Sequence, residues 1–194
     1  MSANPHWFRG LLAAATLSLG LLDASPSSAT KEIGTTAEAF TLTSPKFDHQ
    51  ADIPALYTCD GNDVSPPLRW SGVPAKTESL ALIVEDPDAS DPPRRTFTQW
   101  VVFNIPPITR ALHESVRARK DLPRGAREGT NDGQRVGYTG PCPPSGRKHH
   151  YLFILIALDA DLDLEAPTQP ELEKEMIGHV LGRAELIGTY ERKK

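Results

Sequence analysis

Two polar loops in this 194-residue chain carry side chains suited to proton or anion chemistry. In one, Glu85-Asp86-Pro87-Asp88-Ala89-Ser90, a proline stiffens a turn between two carboxylates. The other, Gly140-Pro141-Cys142-Pro143-Pro144-Ser145-Gly146, runs through Arg147 and Lys148 into the adjacent His149 and His150. Gln99 adds a neutral amide at the head of an apolar run. A carboxylate beside an imidazole fixes its tautomer and favours the protonated ring. With glycine-loop N–H groups nearby, that ring becomes a receptor for phosphate or carboxylate. Asp86 and His149 are also the residue types of a general base, which keeps a hydrolase open as a reading. Against it, the chain has no Gly-x-Ser-x-Gly elbow, no His-Glu-x-x-His and no P-loop. No catalytic residue, cofactor or metal is expected. Arg147 and Lys148 read as solvated loop charges.

The elements that hold these loops are mostly strands. Eighteen prolines and fourteen glycines interrupt the backbone often, and 39% hydrophobic residues suffice for the core of a single, mainly β domain. The runs Ser79–Asp88 and Thr96–Pro106, and the run from His149 to Leu162, are β-branched, apolar and ended by turn residues, so they form the centre of the sheet. "AFTLTSPKF" begins the first alternating strand, and "AELIGTYER" is the last one. Residues 110–137 are polar and aperiodic, a long excursion of the kind compact domains keep for function. One helix is expected from the Thr168/Glu171 capping box, with Pro170 in its first turn. Leu172, Met176 and Val180 would lie on one face, and Gly182 would end it.

Charge and cysteine content narrow the setting. A net charge of −4 argues against nucleic acid, whose phosphate backbone demands clustered Lys and Arg. Arg9, the apolar stretch from Leu11 to Leu22 and the small residues up to Ala29 read as a signal peptide over residues 1–29. A leader over 30–38 and the folded domain over 39–194 would follow. The apolar stretch is shorter than the ~20 residues a membrane span needs, so a periplasmic or secreted protein without a transmembrane span is expected. Cys59 and Cys142 are the only cysteines, and an oxidising compartment permits one disulfide between them. Such a bond contributes on the order of 4 kcal/mol in the chain-entropy model. Two buried free cysteines are the alternative.

"YTCDGNDVSPPLRW", "DPDAS", "WVVFNIP", "YTGPCPPSG", "HHYLFILIALD" and "GHVLGRAELIGTYER" occur in this order. Together they resemble the phosphatidylethanolamine-binding protein family, in particular its bacterial and archaeal branch of Raf kinase inhibitor-like proteins. The resemblance spans Phe40 to Arg192. It implies a large antiparallel sheet packed on a smaller one, a C-terminal helix, and a pocket for a small anion or phospholipid head group. Carried onto this chain, the pocket would use Asp86 and Asp88, Gly140 and Pro144 as wall and N–H source, His149 as the anion-facing ring, and Tyr151 beside it. This chain departs from the family pattern twice. Gln99 stands where a second pocket histidine is usual, and His150 replaces the arginine of a His-Arg-Tyr triplet. The resemblance implies a non-catalytic binding protein. An inhibitor of a protease partner is the alternative reading.

Overall fold

The computed structural model describes residues 38–89, 96–116 and 119–193. The expected signal peptide and all but the last residue of the leader lie outside the described residues. Among the described residues, nine strands and one α-helix follow in chain order. They are β1 (Thr41–Thr43), β2 (Ala51–Asp52), β3 (Leu68–Ser71), β4 (Ser79–Asp86), β5 (Phe97–Ile105), β6 (Ala111–Leu112), β7 (Arg127–Glu128), β8 (Lys148–Leu158), α1 (Gln169–Glu175) and β9 (Val180–Glu191). A three-stranded sheet has the order β1-β3-β6, and a six-stranded sheet the order β2-β9-β8-β4-β5-β7. Pairing is antiparallel throughout except at the short β2–β9 edge, which is parallel. The fold is the expected mainly-β sandwich of a large and a small sheet.

The apolar strands are continuous because the centre of the large sheet is covered on both faces. Leu80, Leu82, Val84, Trp100, Val102, Tyr151, Phe153 and Leu155 belong to one buried cluster with Leu42, Leu68 and Trp70 of the small sheet. Ala81, Ile83, Val101, Phe103, Ile156 and Leu158 belong to the other, with Leu172 and Met176 of α1 and its C-cap. A strand buried on both sides cannot alternate apolar with polar residues.

The helix is shorter than its apolar spacing predicts. Its capping box is present, with the Thr168 N–H donating to the Glu171 carboxylate at 2.9 Å, and Leu172 and Met176 are buried. It stops at Glu175 because Gly178 takes φ +88°, a conformation that turns the chain out of the helix. Val180 and Gly182 therefore belong to β9, which begins four residues before the expected last strand. The excursion over residues 110–137 contributes β6, a 3-10 turn at Arg119–Asp121 and β7, which caps the edge of the large sheet.

Candidate functional site

The C-terminal end of β4, the start of β5 and the start of β8 meet at one end of the large sheet. The segment 139–144 closes over them around a cavity of about 180 Å³. Asp86, Gln99, Gly140, Pro144 and His149 line it, as do Ala89, Phe97, Thr139, Cys142 and Pro143. Antiparallel pairing explains the convergence, since Asp86 ends a strand whose neighbour, β8, begins at Lys148.

His149 is the centre of the site. Its Nδ1 lies 2.8 Å from Asp86 Oδ2, with the two side chains only 6% and 4% exposed. The other Asp86 oxygen accepts the Asp88 N–H at 2.8 Å, closing the Asp-Pro-Asp turn. Both carboxylate oxygens are thus engaged, and Asp86 orients the ring rather than offering itself to a ligand. With Nδ1 committed to Asp86, Nε2 is the nitrogen left for the cavity that His149 lines.

Gln99 reaches the cavity through a β-bulge. Val84 pairs with Trp100 and Glu85 with Thr98, so Gln99 is the extra residue on β5. The bulge is clamped from residues 131–132. The Thr98 N–H donates to Asp132 Oδ2 at 2.9 Å, and the Asp132 N–H donates to the Thr98 carbonyl at 3.1 Å. Buried Asn131 donates through Nδ2 to the Gly137 carbonyl at 2.9 Å and to Thr139 Oγ1 at 3.0 Å, holding a wall residue in place. Neither Asn131 nor Thr139 was foreseen, because Asn-Asp-Gly in a polar stretch reads only as a turn. Gln99 Oε1 is buried without a hydrogen-bond partner among the described residues.

The proline loop is stapled to the segment before β3. Cys59 and Cys142 form a disulfide with Cα atoms 5.4 Å apart. Beside it, the Cys59 N–H donates to the Pro141 carbonyl at 3.1 Å, and the Tyr138 hydroxyl donates to the Tyr57 carbonyl at 2.8 Å. Gly140 fits because nothing larger can: a Cβ there would lie 2.4 Å from the Tyr57 carbonyl oxygen. Its N–H, expected to serve a ligand, instead donates to Asp63 Oδ1 at 2.6 Å. Prolines 141, 143 and 144 have no N–H to offer. Gly140 and Pro144 are therefore wall and offer no N–H to the cavity.

Two further expectations change. Asp88 does not line the cavity; its Oδ2 accepts both the N–H and the ring Nδ1 of His150, at 2.9 and 2.8 Å. Burial pushes the Asp88 carboxyl up, but the two bonds from His150, together with the charge effects of His150 and His149, outweigh it and hold the group below its ordinary range. Tyr151 sits two residues beyond His149 on the same buried face and does not reach the cavity. Burial, and then the charge of Asp86, push its phenol well up, so it stays protonated. Among the described residues its hydroxyl has no partner in hydrogen-bonding geometry, although Asp86 is near enough to act on it. Lys148 is outside the site, ion-paired with Asp52 at 2.8 Å.

Comparison with known proteins places this architecture. The profile of the family described as phosphatidylethanolamine-binding protein matches residues 43–191. A UPF0098 protein of Methanothermobacter thermautotrophicus is 51% identical over 147 residues, covering 75% of this chain and 95% of the relative. Another UPF0098 protein, from Pyrococcus horikoshii, is 46% identical over 151 residues, covering 76% of this chain and 74% of its own length. Among solved structures, a phosphatidylethanolamine-binding protein homologue from Chlamydia trachomatis aligns with a TM-score of 0.72 at 40% identity. That alignment covers 80% of this chain and 99% of the other. E. coli YbcL, described as a member of the mammalian family of the same name, aligns at 0.74 with 31% identity over 80% of this chain and all of its own. The chain belongs to the phosphatidylethanolamine-binding protein family.

Proposed function

We propose that this chain is an exported, non-catalytic binding protein whose cavity takes a small anion, either phosphate or a phosphorylated head group. The observation that carries the reading is the buried His149, oriented by Asp86 at 2.8 Å, on the wall of a 180 Å³ cavity. A protonated ring there supplies the positive charge, and the Gln99 amide supplies a neutral donor. The family's name supports a head group as the source of the anion. Export is supported by the character of residues 1–29 together with the disulfide, which persists in an oxidising compartment. Mass spectrometry of the native protein should then find a chain starting near Thr30.

The deciding experiment is calorimetric titration with inorganic phosphate and with phosphoethanolamine, on the wild type and on His149→Gln. The glutamine amide keeps a donor for Asp86 but cannot carry charge. Saturable binding that is lost in His149→Gln supports the reading, and equal isotherms overturn it. A competing reading has one observation in its favour: Asp86 and His149 also have the geometry of a carboxylate-oriented general base. Turnover of phosphate or acyl esters that disappears in His149→Gln would establish it in place of the first.

A further inference from the structure

A second concavity, of about 310 Å³, lies between the two sheets' edges and is lined by residues 40–44, 47–49 and 185–186. Successive side chains of a strand point to opposite faces, so a wall made of consecutive residues is the strand's hydrogen-bonding edge. Residues 40–44 form such a wall through β1. β1 ends the order β1-β3-β6 and has no strand partner on its other side among the described residues. Opposite it, Glu185 and Leu186 are adjacent residues of β9 that face opposite ways. On that side β9 pairs with β2 only at Gly188 and Thr189. Ile187 is also occupied there, its N–H donating to His49 Nδ1 at 3.3 Å and its carbonyl accepting from the Gln50 N–H at 2.7 Å. Two strand edges thus face one slot.

The slot has an apolar interior and an acidic mouth. Leu42, Phe47 and Leu186 are buried at its inner wall, and Phe47 is held in place against Phe153, with ring centroids 5.6 Å apart. Asp48 and Glu185 are exposed at the opening, and neither is in an ion pair among the described residues. We propose that this slot binds an extended peptide segment of a partner protein, added as a strand along the free edge of β1. An apolar side chain would pack on Leu42, Phe47 and Leu186, and a lysine or arginine would sit at the mouth beside Asp48 and Glu185. Strand addition draws affinity from main-chain hydrogen bonds and selectivity from alternate side chains, which is the combination these walls present. A small organic cation would meet the carboxylates but leave the strand edge unpaired. The proposal is independent of the His149 cavity, since the two sites share no lining residue.

The probe is a short, fluorescein-labelled peptide of alternating lysine and valine, followed by anisotropy on the full chain. Saturable binding should weaken roughly tenfold in Glu185→Lys, and the glutamate–valine counterpart should bind that variant better than the wild type. N-methylation of alternate peptide amides should abolish binding in one register and spare it in the other, and amide exchange at Thr41–Thr43 should slow on binding. The variant changes an exposed residue, and the N-methylated peptides leave the protein untouched, so neither arm depends on refolding. The proposal is overturned by a lack of saturation, by indifference to N-methylation in both registers, or by displacement with n-butylamine at equal concentration.

Discussion

His149 and His150 are neighbours on β8, and each places Nδ1 2.8 Å from a carboxylate of the same Asp-Pro-Asp turn. The first pair, with Asp86, has side chains 6% and 4% exposed; the second, with Asp88, has 55% and 38%. Sequence distance and bond length are matched, so the difference lies in the surroundings. Strand alternation sends one ring into the sandwich and the other into water. In water, a histidine–carboxylate bond competes with hydration and contributes little. Inside, neither group has that alternative, and each needs the other. The motif therefore contains one site residue and one surface residue, and only burial distinguishes them.

The largest expected effect breaks the buried pair. His149→Ala leaves the Asp86 carboxylate buried without its partner and should cost roughly 3–5 kcal/mol in urea denaturation, against no more than ~1 kcal/mol for His150→Ala. Comparable costs for the two would remove the distinction. Next comes the staple that closes the buried pair's cavity. Replacing Cys59 and Cys142 by serine opens a link across a sequence separation of 83, and should cost about 4 kcal/mol on the chain-entropy estimate. Thermal unfolding with and without reductant checks this independently.

Two further carboxylates, Glu128 half-buried and Asp88 exposed, extend the contrast. Glu128 accepts the Trp100 indole N–H at 2.9 Å but has no histidine, and burial raises its carboxyl above the ordinary value, Trp100 offsetting only part of the rise. A raised folded value means that the carboxyl's favourable contribution is complete below the unfolded value and is lost as pH climbs through the folded one. Glu128→Gln keeps the acceptor without the charge. It should therefore stabilise the fold at neutral pH, by on the order of 1 kcal/mol or less, with no gain in strong acid. Asp88 has the opposite sign. Its carboxyl is held down, so its contribution is present above the unfolded value of 3.8 and fades as pH falls through the lower folded one. Asp88→Asn should cost no more than ~1 kcal/mol near neutrality and nothing at low pH, as chemical denaturation across pH will show.

The strands were legible because double-sided burial imposes unbroken apolar runs, as in Leu80–Val84 and Phe153–Leu158. The helix end was not, since Val180 satisfies four-residue spacing while the decisive feature is the φ of Gly178. For the site, the sequence named half of the wall, Asp86, Gln99, Gly140, Pro144 and His149, but not how its polar groups are spent. Gly140 looked like a free N–H donor until Asp63 occupied it, a bond across 77 positions that no local pattern encodes. Asp88 looked like a partner of Asp86, yet the proline turn sends the two carboxylates to different rings. Asn131 and Thr139 depend on a loop returning to the β5 bulge, which only the assembled sheet defines.

In the proposed function the buried ring, and not its exposed neighbour, meets the ligand. Phosphate titration of protein labelled with ¹⁵N-histidine, observed by NMR at mildly acidic pH, tests it within a single sample. A saturable shift at His149 Nε2 is expected, with His150 nearly unmoved. A shift at His150 equal to or larger than that at His149, or no saturable shift at either ring, would contradict it.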